Sequence, residues 1–283
     1  MNDKPLLPGL YIVATPIGNL GDITLRALAT LKQVDLIACE DTRVTGKLLH
    51  QFGVKTRMTS YHEHNARLKQ EEIMEVLRGG GTVALTSDAG TPLISDPGYH
   101  LVKDVAQAAI AVYPVPGACA AIAGLSVSGL PTDAFVFVGF LPTQKSERDA
   151  RIAPFTHLPA TLVFYESANR IADTLAYLEG KLGVREAVVA REITKLHETI
   201  YRGTLTELSQ WFGENDVKGE IVLMIGAPLK QELEEIPLDD ALLVALEKMS
   251  VKDAAAFVAE QTGRSRKEVY KRAIELQPKR KNV

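Results

Sequence analysis

Five short stretches concentrate residue types that suit chemistry better than packing: TPIGNLGD (15–22), CEDTR (39–43), SYHEHN (60–65), SDAGTPLISDPG (87–98) and PVPGACAA (114–121). Each follows a β-branched or apolar run, which places it at the carboxyl end of a strand, where open α/β sheets bind ligands. The first holds Gly18 and Gly21 but no GxGxxG, so the dinucleotide fingerprint fails. In the fourth, Asp96 and Pro97 read as a cap for a helix at Tyr99. That leaves most of the loop unexplained, and long ordered loops tend to be functional. In the fifth, Gly117 lets the backbone approach something closely before a helix of small residues. A loop of backbone amides and carbonyls facing an Ala/Cys-lined helix suits an adenosine, whose base needs a flat apolar slot and a few polar contacts.

Carboxylates and imidazoles near these turns are candidate bases or strong hydrogen-bond acceptors: Glu40 and Asp41, then His62, Glu63 and His64, then Glu166, Glu192 and Glu198. Each has a plainer alternative as half of an ion pair, for instance Glu40 with Arg43 or Glu192 with Lys195. His62 and His64 share one face of an extended segment, yet no third ligand is evident, so no metal is expected.

The elements that must position these residues follow from periodicity. Strands are expected at 10–14, 36–39, 57–61, 82–86, 111–114 and 135–139, alternating with helical patterns such as 23–33, opened by Asp22, and 66–78, opened by Asn65. This is the signature of a mostly parallel sheet. A polar, basic linker follows in GFLPTQKSERDAR. The second half offers strands at 161–166, 187–192, 198–202 and 220–225 with helices at 168–182 and 205–212, a more antiparallel, mixed sheet. The fold class is therefore two α/β domains, residues 1–138 and 139–228, the first with a mostly parallel and the second with a mixed sheet. The rest, 229–283, is a helical, basic module that opens with an acidic linker around 231–240.

Composition agrees with a globular protein: 46% hydrophobic and 24% charged residues in 283. The net charge of −3 hides an asymmetry, since residues 264–283 hold eight basic and two acidic side chains while the rest carries −9. A basic tail on an acidic body points to a polyanionic partner. Cys39 and Cys119 have no CxxC spacing, so neither zinc nor a disulfide framework is indicated. The uncharged stretch 105–132 is broken by glycine and proline and reads as strand, turn and packed helix rather than a membrane span. With no secretory signal, a cytoplasmic location without membrane contact is expected.

The ordered strings VATPIGNLGDIT, ACEDTR, SYHEHN, LTSDAGTPLISDPGYHLV, PVPGACAAIAGLSVSGLPTD, GFLP, FYESANRI, AREITKLHETIYRG and GEIVLMI resemble the tetrapyrrole (corrin/porphyrin) methylase superfamily. More narrowly they resemble its ribosomal RNA small subunit methyltransferase I branch, which methylates a cytidine 2′-hydroxyl in the decoding region of 16S RNA. The resemblance implies S-adenosylmethionine as cofactor in a cleft between the two α/β domains, 16S RNA in the small ribosomal subunit as partner, and a homodimer. It implies cofactor contacts at Pro16, at Ser87, Asp88, Ala89, Gly90, Thr91, Leu93 and Ile94, and at Pro116, Gly117, Ala118, Cys119 and Ala120. In the second domain it implies Tyr165, Gly219, Glu220 and Ile221. PIGN in the first turn and Thr91 in the loop depart from the porphyrin-methylating pattern and match the RNA branch.

For such a reaction Glu40, His62, Glu63, Glu166 and Lys195 are the catalytic candidates, and Arg43, His64, Arg67, Arg170 and Arg191 the RNA candidates. A small-molecule methylase and a non-catalytic ribosome-binding factor remain alternatives. In the tail, Ser250 or Asp253 can open a helix bearing Ala254, Phe257 and Val258. A turn at Gly263 leads to a second helix with Val269, Ala273 and Ile274 inward and Arg266, Lys267, Lys271 and Arg272 outward. Two short helices joined at a glycine, the second basic, form the helix-turn-helix pattern, although such pairs also serve as packing units.

Overall fold

The computed structural model describes residues 5–62, 65–228, 238–246, 249–262 and 265–276, the side chains of 66–68 and 260–262 excepted. Residues up to Pro228 form one compact unit and those from Leu229 another. In the first unit, five strands form an all-parallel sheet: β1 (Gly9–Val13), β2 (Leu36–Cys39), β3 (Met58–Ser60), β4 (Thr82–Thr86) and β5 (Val112–Val115), in the order β3-β2-β4-β1-β5. The connections are α1 (Leu25–Gln33), α2 (Thr42–Gln51), α3 (Ala66–Arg78) and α4 (Tyr99–Gln107).

Apolar side chains leave both faces of this sheet, which is why its strands read as continuous rather than alternating runs. Leu10, Leu36, Val83 and Leu85 pack with Ile73, Leu77, Leu101 and Val105 of α3 and α4. On the opposite face Tyr11, Val13, Ile37 and Ala84 pack with Ala27, Leu31 and Leu49 of α1 and α2. All five strands thus send their carboxyl ends, and the turns singled out above, to one edge. Two expected caps differ. Thr24, not Asp22, caps α1, accepting the Ala27 N–H at 3.0 Å. Asn65 precedes α3 without capping it: its side chain accepts the His62 N–H and donates to Ser60.

The second sheet comprises β6 (Phe135–Phe140), β7 (Thr161–Ser167), β8 (Glu186–Arg191), β9 (Thr199–Thr204) and β10 (Glu220–Ile225), in the order β6-β7-β10-β8-β9. β6 and β7 are parallel and the other pairs antiparallel. The expected domain break at residue 139 falls inside β6, and the chain changes sheet before Phe135. The expected basic linker contains α6 (Lys145–Ile152), whose first seven residues, KSERDAR, show no apolar face to read. One face of this sheet is covered by α7 (Ile171–Leu182) and α8 (Leu205–Glu214) through Leu175, Leu178, Leu208 and Phe212.

The other face is covered by α5 (Ala120–Ser128), which leaves the first sheet and lies on Val163, Val188, Val222 and Met224 of the second. Its small residues allow this. A Cβ on Gly124 would stand 3.1 Å from Val222 Cγ1 and 3.3 Å from Met224 Sδ.

The second unit holds α9 (Leu238–Leu246), α10 (Val251–Thr262) and α11 (Arg266–Leu276) around Leu242, Ala254, Val258, Val269 and Ala273. Ser250 opens α10, accepting the Asp253 N–H. Phe257 and Ile274 lie outward, 43% and 52% exposed. The expectation that Ile274 faces inward is therefore corrected: the contact stripe of α11 is narrow and is filled by Val269 and Ala273. Arg272 is half exposed on the outer side, as expected, but it is not a free cation. It forms a two-pronged ion pair with Asp239, 2.7 and 2.5 Å, and bonds Glu275, which ties α11 to α9.

Gly124→Val should destabilise the first unit by about 1–3 kcal/mol, the usual cost of overpacking a filled core. Chemical denaturation measures it, and wild-type stability would contradict the close seating of α5.

Candidate functional site

The loop after β4 is held at three places to the loops beside it. Thr15 and Gly90 exchange backbone hydrogen bonds of 2.8 and 3.0 Å, and the Thr15 hydroxyl donates to the Ser87 carbonyl at 3.2 Å. The Thr91 hydroxyl donates to the Ala118 carbonyl at 3.0 Å, joining the turn after β5. The Asp41 N–H donates to Asp88 Oδ1 at 3.1 Å, joining the turn after β2. Gly90 (φ +82°), Leu93 (φ +74°) and Ser95 (φ +65°) are left-handed, and two such non-glycine residues in one loop mark a conformation imposed by its surroundings.

Between this loop and the second sheet lies a cavity of about 360 Å³. Its walls are Ile17, Ile94, Ile193 and Val222, and backbone from Asp88–Thr91 and Gly219–Ile221 forms its polar edges. Tyr165 reaches in from β7, its phenol oxygen accepting the Ala121 N–H at the start of α5, and Phe137 and Phe140 pack on its ring edge-on. Burial pushes the Tyr165 hydroxyl well above its ordinary range, so it remains a neutral partner. Asp96 also lines the cavity, and burial raises its carboxyl. It does not cap α4, whose N-cap is Gly98. A mostly apolar pocket with a few convergent polar groups is the usual form of a small-molecule site.

Two further openings adjoin it. One is lined by Pro16, Gly18, Leu20, Thr45, Lys47 and Lys195, among others. The other is polar, bounded by Glu40, Asp41, Thr42, Arg43, Ser60, His62 and Asp88. Asp41 opens α2, its carboxylate accepting the Arg43 N–H and bridged by the Arg43 guanidinium. The guanidinium holds that carboxyl down at about 2, and Arg43 itself is 86% exposed at the rim.

Opposite, Lys195 Nζ bonds Glu192 at 2.8 Å and Glu220 at 2.9 Å. Burial alone would lower this amine, but the two carboxylates outweigh it and keep the ammonium charged, so Lys195 is not a base. Its stem lies across Gly18, where a Cβ would meet Cγ at 2.3 Å. Glu192 (φ +52°) lies over Gly219 (φ +107°), whose added Cβ would come within 2.5 Å of the Glu192 carboxyl carbon. That close approach explains a glycine at position 219.

Of the residues expected to hold a cofactor, Asp88, Ala89, Gly90, Thr91, Ile94, Ala120, Tyr165, Gly219, Glu220 and Ile221 line the cavity. Pro16 and Ser87 face the adjoining opening instead. Leu93 packs into the first core, and Pro116, Gly117, Ala118 and Cys119 are not among the lining residues, Pro116 and Gly117 being exposed. Gly117 sits tightly against a neighbour: its Cβ would meet that of Ala14 at 2.9 Å. Ile17, Ser95, Asp96, Phe140, Ser167, Ala190, Ile193 and Val222 were not anticipated. The strand residues Ala190 and Val222 alternate with core positions, which the period of two could have indicated.

Among the catalytic candidates, Glu40 and His62 share the polar opening. Glu166 lines the cavity, but its carboxylate is engaged elsewhere. It is buried on the α7 face, accepting from Thr174 Oγ1 at 2.7 Å and the Ser167 N–H at 2.8 Å, with Arg170 at 3.4 Å. Arg170 is further occupied by the Leu141 carbonyl, and Arg191 by the carbonyls of Lys218 and His197. Both clamp backbone rather than stand ready for phosphate. Glu63 and His64 lie outside the described residues, as does the side chain of Arg67, a residue of α3.

Residues 9–209 match the family model of the Tetrapyrrole (Corrin/Porphyrin) Methylases, and residues 232–277 match that of the RsmI C-terminal HTH domain. The chain is 46% identical over 275 residues to a ribosomal RNA small subunit methyltransferase I of Mesorhizobium japonicum, covering 96% of this chain and 94% of the relative. It is 50% identical over 273 residues to one of Pasteurella multocida, covering 94% and 96%. In fold it is similar to a diphthine synthase (TM-score 0.60, 14% identity, 77% of this chain and 89% of that one). It is likewise similar to a uroporphyrin-III C-methyl transferase from Thermus thermophilus solved with S-adenosyl homocysteine (TM-score 0.55, 20% identity, 77% and 97%).

Lys195 and the Glu220 N–H hold the Glu192 carboxyl below its ordinary range. Glu192 thus favours the folded state above the ordinary carboxylate pKa, and that contribution is lost as pH falls through the depressed value. In Lys195→Met the Glu192 titration should move upward and stability should become less steep in pH between about 3 and 5. Carboxyl NMR titration with denaturation at each pH checks both. A Glu192 titration that does not move would show that the ammonium has no part in it.

Proposed function

The chain belongs to the tetrapyrrole (corrin/porphyrin) methylases and, within them, to the ribosomal RNA small subunit methyltransferase I branch, and on that premise we propose that it is an S-adenosylmethionine-dependent methyltransferase of 16S ribosomal RNA. The acceptor is the 2′-hydroxyl of a cytidine ribose, and the assembled small subunit is the substrate. The observation that carries this reading is the junction of an apolar cavity with a polar, Arg43-rimmed opening at one loop. An adenosyl sulfonium needs a flat apolar slot, backbone partners and nearby negative charge. Ile17, Ile94, Ile193 and Val222 supply the slot, Gly219–Ile221 and Asp88–Thr91 the backbone, and Asp88 and Asp96 the carboxylates.

Bound there, S-adenosylmethionine supplies a methyl group activated by positive charge on sulfur. The chain's own residues align and dehydrate. The loop after β4, pinned by Thr15, Thr91 and Asp41, fixes the position at which acceptor and donor meet. Such positioning is worth about 7–11 kcal/mol of barrier when near-attack geometry is held. A porphyrin would require a large apolar trough, whereas the second approach to this site is bounded by charged side chains. The exposed cations Arg43, Arg266, Lys267 and Lys271 suit phosphate contacts, while Arg272, Arg170 and Arg191 are engaged internally.

A homodimer fits the outer side of α5, where Ile122 and Val127 are exposed on a helix apolar all round. A cytoplasmic location follows from the substrate. No helix among the described residues is long and apolar enough to cross a membrane.

Incubation with methyl-labelled S-adenosylmethionine and purified small subunits should label 16S RNA at a ribose, with free RNA and a porphyrinogen as comparisons. Labelling of the porphyrinogen alone would overturn the proposal. Removing residues 229–283 should leave S-adenosylmethionine affinity unchanged and weaken subunit binding. It should also flatten log affinity against log salt by about 0.7–0.9 for each phosphate that is no longer neutralised. An unchanged salt slope would assign this module to packing.

A further inference from the structure

We infer that Asp88 is the group that receives the acceptor hydroxyl's proton, an assignment that rests on the function proposed above. Among the described residues Asp88 is the one that lines all three openings: the inner cavity, the groove past Pro16 and Lys195, and the polar opening bounded by Glu40 and His62. The donor methyl and the acceptor oxygen enter by different routes and must meet in line. The residue common to both chambers stands where they meet.

The other acids near this point are placed or occupied differently. Asp41 is bridged by Arg43, Glu192 and Glu220 by Lys195, and Glu198 accepts the Thr194 N–H at 2.7 Å. Glu166 is turned to α7. Glu40 and His62 border the outer opening alone, and Asp96 the inner cavity alone. The Asp88 carboxylate accepts a single hydrogen bond among the described residues, the Asp41 N–H on Oδ1. That bond fixes its direction and leaves Oδ2 for an incoming hydroxyl. The carboxylate is set in a loop tied to three neighbours, so its placement does not depend on a flexible side chain finding the substrate.

A ribose hydroxyl is a weak nucleophile, and a positioned base contributes about 10²–10⁴-fold to such a step. As the bond between ribose oxygen and methyl carbon forms, the sulfur–methyl bond breaks and its electron pair stays on sulfur. The hydroxyl proton passes to the Asp88 carboxylate and thence to solvent. Partial burial, with the Asp41 charge adding to it, lifts the Asp88 carboxyl above its ordinary range against the pull of the Asp41 N–H bond and Arg43. A base moved toward the working pH is a better proton acceptor. The charged and titratable groups around it are Cys39, Glu40, Asp41 and Arg43 at the β2–α2 turn, Lys47 of α2, His62 after β3, Asp96 from its own loop, and Tyr165, Glu166, Lys195 and Glu220 from the second sheet.

The test uses the full chain, purified small subunits and labelled S-adenosylmethionine, with calorimetry of S-adenosylmethionine binding beside the rates. Asp88→Asn should weaken S-adenosylmethionine binding far less than it lowers kcat, and its denaturation curve reports an intact fold. It should lose about 10²–10⁴ in kcat and the rise of kcat with pH on the acidic side. Asp88→Glu should recover part of the rate. Three outcomes overturn the assignment: Asp88→Asn with wild-type kcat, S-adenosylmethionine affinity falling in step with kcat, or a slower enzyme that keeps the wild-type acidic limb. Those outcomes leave the proposed function standing, provided the wild type labels 16S RNA. Failure of the wild type to do so removes both.

Discussion

The structure turns on the attachment of one loop. Residues 87–98 follow the central strand β4 and are fastened to the turn after β1 by the Thr15–Gly90 pair, to the turn after β5 by Thr91, and to the turn after β2 by Asp88. Left-handed backbone at Leu93 and Ser95 is uphill by itself, and these bonds hold it. Without them the cavity has no first wall and the carboxylates no fixed heading. The sheet order places β4 between β1 and β2, so the loop has neighbours on both sides to be tied to.

The second wall depends on how the two sheets are joined. α5 starts beside the first sheet and covers the second, and its Ala121 N–H meets Tyr165 at the floor of the cavity. One side chain completes the seam: Lys195, ion-paired within the second sheet, lays its stem over Gly18 of the first. The cleft is therefore a shared product of two cores, each of which is apolar and closed on its own account.

Most elements were legible because their signals are local. The runs at 36–39, 82–86 and 220–225 are strands with those limits, since each is a short β-rich run bounded by turn residues. α6 was not legible, because KSERDAR lacks the apolar face that periodicity detects. At the site, the motif residues from Asp88 to Thr91 and from Gly219 to Ile221 fall on the cavity as their order suggested. What sequence could not distinguish is the reason for a residue. Gly117 and Gly90 look alike in a string, yet one lies tight against Ala14 and the other bends the loop that lines the cavity. Glu166, Arg170 and Arg191 are chemically plausible anywhere, and only the direction of each strand position reveals that they serve the scaffold.

The order of the second sheet bears on how the chain is made. β10 sits at its centre, between β7 and β8, and is the last of its five strands to be synthesised. Until residue 225 has left the synthesising ribosome, the β6–β7 pair and the β8–β9 hairpin have no common neighbour, and each presents an unpaired inner edge. Exposed strand edges are templates for unwanted association. The first sheet, complete by Val115, can mature early, while the apolar surface of α5 is covered in stages by β7 and β8 and fully only once β10 has been made. The nascent chain thus passes through a long interval as half a protein, and closure of the cleft is the final event of its maturation rather than the first.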